Sequence, residues 1–547
     1  MVAQCRQCKR DYEQRAVPSV EGQVSYFDPA AYCDECSNQR RLSWLNHYML
    51  YSRPCDRCRE VTIGMYRPGA DYQVYCAKCW QNRDIVSLTY DDSKGFLEQF
   101  AVLLHQQPLP ALLNDNNQLS VNCAYTNNLL SSKNCYFVFD GNEDEDCYYS
   151  YALGESRNCA DCSYCLGSEL SYELVNCHGC YHSACLLDSR LANHCYFSYD
   201  LNNCNNCLFS SGLRNKQYYI FNKPYSKDEY ETYIKTELNT GNYQVWLKLM
   251  NQYQEWLLTV VRKESTNRKS ENCIGNDILY SKSSTGFFMY QSEDCYNILN
   301  ATTNKNCNNC FQVGYCELSS ELIALENSYA SFASACCQNA SHNFYSLYCQ
   351  NCKHVFGCIG LQNQEYCILN KQYTKDAYEL LVKKIVAQMR TEKSYGQFFP
   401  PALSPFSYHE TIAQDIFPLT QSQALAAGYQ WEEQPLTSTH LVETSELPDN
   451  IDDTTISSTT VAHSCQTCQK LYRITEQELA LYQNIQVPLP RKCFRCRHWD
   501  RRDRRPNFRM YHRPCDRCQK AIITHYPNTS ALQVYCEDCY TSTVVIS

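Results

Sequence analysis

From Asn122 to Cys207 the chain repeats in sixes. Every sixth residue (Cys123, Leu129, Cys135, Gly141, Cys147, Leu153, Cys159 and on to Cys207) is small or apolar. The residue before it is Asn or Asp in ten of fifteen cases, among them Asn122, Asn134, Asp146, Asn158, Asn176 and Asn206. A recurrent small inward residue beside a turn-forming Asn or Asp predicts a β-solenoid, in which each coil stacks its inward residue on the next and Asn or Asp tolerates the corner. Tyr136, Tyr148 and Tyr196 follow directly and are expected to face outward or to cover the next layer. Spacings of 12 and 18 both occur, so coil size and handedness stay open.

Helical patterns break this rhythm. Ser226-Lys-Asp-Glu229 fits a capping box ahead of a helix. A second helix is expected from Tyr243 to Arg262, with Val245, Trp246, Leu249, Trp256 and Val260 near one stripe. Thr374 opens another, carrying Leu380, Leu381, Ile385 and Val386. Phe398-Phe-Pro-Pro401 then breaks any helix, and Thr420 can cap a short one that ends before Gly428.

Two internal duplications organise the chain. Cys5, Cys8, Cys33, Cys36, Cys55, Cys58, Cys76 and Cys79 recur, each 460 residues later, as Cys465, Cys468, Cys493, Cys496, Cys515, Cys518, Cys536 and Cys539. Inside these, at an offset of 148, Asn158-Cys-Ala-Asp-Cys162 matches Asn306-Cys-Asn-Asn-Cys310. The expected fold is mainly β with helical inserts: two Cys-rich β-solenoid repeats flanked by N- and C-terminal double zinc-ribbon, treble-clef-like modules. The expected boundaries are an N-terminal module over 1–95, a first repeat over 115–223, a helical insert over 224–268 and a second repeat over 270–371. A helix and Pro-rich segment follow over 372–435, then a Ser/Thr/Asp-rich linker over 436–460 and the C-terminal module over 461–547.

Sixteen cysteines in eight repeated Cys-x-x-Cys pairs supply four four-sulfur sites, the number and geometry a tetrahedral metal takes. The expected cofactor is Zn²⁺, four per chain, although S₄ also suits iron. Sequential pairing joins Cys5/Cys8 to Cys33/Cys36 and Cys55/Cys58 to Cys76/Cys79, and the last module repeats it; cross-braced pairing fits the same spacing. The segment Val61–Tyr66 and Gln73–Tyr75 are β-prone around a Pro-Gly turn, as a zinc ribbon requires. The repeat cysteines read differently. Cys165, Cys177 and Cys185 give way to Val313, Leu325 and Ala333 at the 148 offset, which packed thiols tolerate and ligands do not. Metal in the repeats is best placed at Cys159/Cys162 with Cys307/Cys310.

Charge adds a candidate surface. The chain carries 49 Lys+Arg against 58 Asp+Glu, net −9, yet the stretch from Arg491 to Lys520 is strongly basic. Arg491, Lys492, Arg495, Arg497, Arg501, Arg502, Arg504, Arg505 and Arg509, with Phe494, Trp499 and Phe508 to stack, suit RNA or single-stranded DNA. The same strip could equally balance or dock acidic parts of the chain. Cysteine, 39 of 547 residues, is diluted over a long chain rather than packed in a short disulfide scaffold. With neither a basic-then-apolar leader in residues 1–30 nor an apolar run of ~20 residues, a cytoplasmic, reducing location and no membrane are expected.

The Arg-Pro-Cys-Asp-Arg-Cys and Val-Tyr-Cys-x-x-Cys knuckles resemble a family of uncharacterised proteins of candidate phyla radiation bacteria, in which zinc ribbons flank cysteine repeats. So do the Asn-Cys-x-x-Cys repeats and the run from Phe398 to Thr420, and the similarity spans nearly the whole chain. The resemblance implies no activity.

The functional expectation is a non-catalytic zinc-binding scaffold or adaptor for a macromolecule, with RNA or single-stranded DNA favoured by the basic module. The alternatives are a protein–protein scaffold, a thiol-rich metal-storage or redox-sensing protein, and a solenoid acyltransferase using a coil-edge His such as His178, His182 or His194. The last lacks the usual aliphatic–Gly hexad. No small-molecule substrate is evident, and no phosphate loop or nucleophile elbow stands out.

Overall fold

The computed structural model describes residues 2–13, 31–114, 119–281, 342–432, 447–505 and 508–547, together with the backbone of short strands between 285 and 338. The protein is mostly sheet, with helices laid on the sheets and four cysteine clusters in the terminal segments.

The larger sheet runs from Asn127–Leu130 to Lys223–Pro224. Its strands are parallel, and each residue pairs with the one twelve further on: Tyr136 with Tyr148, Cys159 with Ser171, Leu186 with Ser198, Cys207 with Tyr219. The cause lies in the backbone. From Asn122 to Phe221 every third residue sits at φ between +45° and +67°, so the chain turns four times in each twelve-residue rung and returns above itself. We call this stack a ladder. The repeat is therefore three, not six. Asn and Asp take 13 of the 34 corners, where some form side-chain chains up the stack: Asn122 to Asn134 at 2.9 Å, Asn134 to Asp146 at 3.0 Å. Tyr149, Phe197, Phe209 and Leu170 take others, in a region that costs a non-glycine residue about 1–2 kcal/mol.

The residue after each corner points inward. Cys147, Ser150, Leu153, Ser156, Cys159 and Cys162 follow one another in the core, all at 5% exposure or less. Serines there accept the N–H of the next rung, as Ser150 does from Cys162 at 3.1 Å and Ser189 from Leu201 at 3.2 Å.

A second sheet begins with an eleven-residue rung, Ile274 pairing with Thr285 and Leu279 with Tyr290, and takes up the twelve-residue period after a register shift. Ser341–Phe344, Lys353–Phe356 and Glu365–Ile368 pair in parallel twelve residues apart, with left-handed corners at every third residue from His342 to Leu369. Cys349, Cys352, Val355, Cys358 and Cys367 form its interior. The expected partners Cys295, Cys307 and Cys310 lie outside the described residues. Both ladders close with a short antiparallel strand, Lys223–Pro224 or Lys371–Gln372. A helix follows each. Lys227–Glu237 is capped by the expected Ser226/Glu229 box, and Lys375–Thr391 by Thr374.

Other helices cover the ladder flanks. Tyr243–Thr259, three residues shorter than expected, starts at Asn242, whose side chain accepts from the N–H groups of Gln244 and Val245. It packs Trp246 and Trp256 on the stacked column of Phe197, Phe209 and Phe221. Phe96–Gln106 lies on the second ladder, with Phe96 4.9 Å from Phe356 and 5.7 Å from Tyr345. Gly357 is needed beneath it: a Cβ there would stand 2.6 Å from the Phe96 ring.

The Pro-rich segment is a hub. Phe399 stacks on Trp44 and Phe100 (4.8 and 4.9 Å), Phe406 on Tyr66 (5.1 Å), and Tyr408 accepts from Gln39 at 2.8 Å. Thr420 caps the short helix Gln421–Ala426 as expected. The linker expected over 436–460 needs correction in its described part. Residues 447–460 are folded onto the molecule, with Leu447 and Ile451 buried. Their carbonyls are used: Arg491 donates to Leu447 and Pro448, and Tyr243 N–H to Asp449 at 2.8 Å.

Candidate metal centres

The cysteines expected as ligands converge in four groups: Cys5/Cys8/Cys33/Cys36, Cys55/Cys58/Cys76/Cys79, Cys465/Cys468/Cys493/Cys496 and Cys515/Cys518/Cys536/Cys539. Within each group all four sulfurs lie within 4.8 Å of one another. Pairing is sequential, and cross-bracing is not what the chain adopts. These four are the groups among the described residues that could hold a metal.

Each group is built the same way. The first Cys-x-x-Cys is a knuckle in which the N–H of the fourth following residue returns to the first cysteine's carbonyl: Lys9 to Cys5, Arg59 to Cys55, Gln469 to Cys465, Gln519 to Cys515, at 2.9–3.0 Å. Lys9, Arg59, Gln469 and Gln519 reach that bond by taking left-handed φ between +60° and +66°. The second Cys-x-x-Cys opens a helix. Cys33, Cys76, Cys493 and Cys536 are N-cap residues, and Cys36, Cys79, Cys496 and Cys539 fall in the first turn. Free N–H groups at a helix start favour thiolate over thiol.

The sulfur spacing fits an ion. Four sulfurs placed ~2.3 Å from one centre form a tetrahedron with edges of roughly 3.8 Å. One edge of each quartet is of that length: Cys8–Cys33 at 3.7 Å, Cys58–Cys76 at 3.9 Å, Cys468–Cys493 at 3.6 Å and Cys518–Cys536 at 3.7 Å. The described cysteines are free of disulfides. Burial works against ionising Cys55 and Cys515, yet backbone N–H groups overcome it and bring each down to about 6. One such bond runs from the N–H of Cys76 to the Cys55 sulfur, and its counterpart from Cys536 to Cys515, both at 3.3 Å.

Most ladder cysteines act as S–H donors instead. Cys147 donates its S–H to the carbonyls of Glu145 and Ser156, both at 3.4 Å. Cys159 does so to Arg157 and Ser168 at 3.3 Å, and Cys177 to Val175 and Leu186. Burial pushes Cys147, Cys165, Cys177 and Cys358 far above the ordinary thiol range.

Two residues of the basic strip, Arg497 and Arg501, are buried, and the other seven are half-buried. None of its nine expected nucleic-acid residues is exposed. Arg501 is fully buried: it donates to Asp161 at 2.6 Å, to Ser163 Oγ at 3.1 Å and to the Tyr149 carbonyl at 3.1 Å. Arg497 pairs with Asp161 and lies 4.3 Å over the Tyr149 ring. Arg504 pairs with Glu173, Arg509 with Glu35 at 3.6 Å and Lys492 with Asp500. Arg505 sits 3.7 Å over Tyr164, and Arg495 4.7 Å over Trp499. Arg502 reaches Asp503 and Asp415. Phe494 is packed among Phe137, Phe139 and Tyr149. Thus the helix Phe494–Asp503, whose start supplies Cys493 and Cys496, docks the C-terminal module on the first ladder. Asp161 and Glu173, absent from the sequence reading, are its sockets.

No family model matches the chain, and no curated protein matches it. Among solved structures, a putative acetyltransferase from Desulfovibrio desulfuricans G20 aligns at 10% identity, over 50% of this chain and 77% of that one, with a TM-score of 0.08. A likeness this slight says nothing about fold or activity. The histidines an acyltransferase would use have other surroundings: burial holds His178 down to about 3, and His182 and His194 stack on each other at 4.8 Å. No helix among the described residues is long and apolar enough to cross a membrane.

Proposed function

We propose that this chain is a non-catalytic, zinc-bound scaffold. In this reading the two ladders are β-solenoids from a duplicated unit, and the terminal segments are paired treble-clef-like zinc modules that brace them. The carrying observation is the set of four sulfur quartets with tetrahedral edges, each made from a knuckle and a helix start. Zinc is the fitting ion because such all-thiolate closed sites are its structural coordination; bound there, it crosslinks two short segments that have little core of their own. Cys8, Cys58, Cys468 and Cys518 and their partners would hold it.

A protein partner is the reading the geometry supports over RNA or single-stranded DNA. The arginines suited to phosphate are spent on Asp161, Glu173, Asp415 and aromatic faces, whereas Tyr125, Tyr181, Leu191 and Leu166 stand exposed on the first ladder. Exposed aromatic and aliphatic groups on an extended rigid surface suit protein contact.

Metal analysis of purified protein tests the reading: four zinc ions per chain are expected, with loss of protease resistance at both ends after complete chelation. Zinc-free, resistant protein would end it. Gel-shift titration against single-stranded RNA is expected to give weak binding. Tight binding with a log–log salt slope of several units would restore nucleic acid as the partner.

A further inference from the structure

The two quartets of each terminal module differ in access. In the inner quartets, Cys5, Cys33, Cys36, Cys465, Cys493 and Cys496 are buried, with Cys8 and Cys468 half-buried. In the outer quartets Cys55, Cys515 and Cys536 are buried and Cys76, Cys79 and Cys539 half-buried, but Cys58 and Cys518 are exposed, as no inner-quartet cysteine is.

The outer quartets also anchor what ties module to ladder. In the C-terminal module, Cys536 caps the helix Glu537–Thr543 and Cys539 lies in its first turn. The next residue, Tyr540, is buried and donates to Asp200 of the first ladder at 2.8 Å. Beyond it Val544 lies on Gly212, where a Cβ would come within 2.9 Å of its carbonyl. Ile546 N–H donates to Gly212 at 3.0 Å and its carbonyl accepts from Arg214 at 2.9 Å. Just before Cys536, the strand Val534–Tyr535 takes Arg262–Lys263 as a parallel neighbour.

The N-terminal module repeats this on the second ladder. Cys76 caps Ala77–Gln81, and Cys79 precedes Trp80, which meets Tyr348 and Gly360. Arg83 donates to the Gly360 carbonyl at 2.7 Å. The strand Val74–Tyr75 takes Leu109–Pro110. Tyr540 stands 460 residues after Trp80, Gly360 stands 148 after Gly212, and Tyr348 stands 148 after Asp200. The two clamps are one device, used twice and crossed: the first module grips the second ladder, the last module the first.

We propose that the outer quartets are exchangeable zinc sites acting as latches, closed on a ladder flank when the ion is bound and released when it leaves. This rests on the zinc-bound reading above. The helices that deliver Trp80 and Tyr540 are five and seven residues long, too short to persist in water without an anchor, and the ion is that anchor. The inner quartets have independent support from Asp161, Glu173 and the Pro-rich hub, so their surroundings stay folded when the latches open. An incoming chelating ligand reaches Cys58 and Cys518 first because their sulfurs face solvent.

The test uses full-length, zinc-loaded protein titrated with a chelator of moderate affinity, followed by native mass spectrometry and backbone hydrogen exchange. A plateau at two ions per chain is expected. At that plateau, protection should fall over 74–83, 109–111, 262–264 and 534–546, while 34–42 and 494–503 stay protected. Loss of all four ions in one step, or a plateau without local exchange, overturns the latch. Protein isolated without metal fails the zinc reading itself, so the two failures are distinct. The double variant Cys58→Ser/Cys518→Ser should show the same exchange pattern without chelator, and Cys8→Ser/Cys468→Ser should not. Should either variant fail to fold, the wild-type titration decides.

Discussion

Cysteine lives two lives in this chain, and the backbone around it decides which. In the terminal quartets the sulfur faces N–H groups, from a knuckle on one side and a helix start on the other. In the ladders it faces carbonyls, two residues back and nine residues on. The first setting lowers the pKa of at least one sulfur in every quartet, Cys33, Cys55, Cys465 and Cys515 among them, whereas burial keeps the proton on most ladder thiols, Cys162 and Cys352 excepted. Spacing along the chain does not separate them, since Cys159-x-x-Cys162 has the spacing of a knuckle but sits across a ladder corner. Direction of hydrogen bonding does.

The largest test of that contrast is to remove one sulfur from each setting. Cys465→Ser should lose a zinc ion and, with it, much of the ~10–16 kcal/mol a structural zinc contributes to folding, seen as a missing ion and early melting of the last module. Cys177→Ser should keep full metal content, because serine fills the same kind of position at Ser189 with the same donor role. Equal damage from both would erase the distinction.

Next in size is the joint between the settings. Arg501→Ala leaves Asp161 buried beside a single remaining arginine, and breaking a buried ion cluster costs about 3–5 kcal/mol. Chemical denaturation should show it, with zinc content unchanged. A loss below 1 kcal/mol would mean that the aromatic packing around Phe494 alone holds the module.

A third test sharpens the account of the ladder interior. Asp144 occupies the inward column of Ser132 and Ser156, and burial pushes its carboxyl up to about 8, against an ordinary 3.8. Because the folded value is the higher one, stability is greatest below the unfolded value and falls as pH rises through the folded one, by up to roughly 1.4 kcal/mol per pH unit. Asp144→Ser should flatten that slope and raise stability near pH 8. An unchanged pH profile in thermal melts would show that the carboxyl is solvated.

The smallest effect is Cys177→Ala. It removes one weak donor and leaves a small void, a cost of about 1–2 kcal/mol in the same melts.

Membership of the quartets was legible because eight Cys-x-x-Cys pairs recur at a fixed offset. Their sequential pairing was the first reading, but cross-bracing stayed open because closing a loop of twice the length costs only about 0.6 kcal/mol more. The ladder was legible only at half of its corners. Asn and Asp mark every sixth residue, but the corners between carry Tyr125, Phe137, Tyr149 and Phe197, whose left-handed backbone is held by packing and Asn-free stacking that composition does not signal. Serines such as Ser150 and Ser168 fell between the sixth residues, and their inward hydrogen bonds run to rungs twelve residues away. The docking contacts of the basic strip were hidden for a related reason: nothing local in Arg497 or Arg501 announces that Asp161, more than 300 residues earlier, waits inside the first ladder.

The strict twelve-residue register of the first ladder limits how that part of the molecule can change length. Removing one whole rung lowers the stack by a strand spacing of ~4.8 Å and leaves every corner above a corner. Removing three residues keeps the turns but slides each Asn off its neighbour and each flank off its covering helix. Removing one or two puts bulky side chains where serine and cysteine must fit. Growth and shrinkage of the first ladder are therefore quantised, and relatives of different length should differ there by multiples of twelve, whereas the second sheet accommodates one eleven-residue rung at its start.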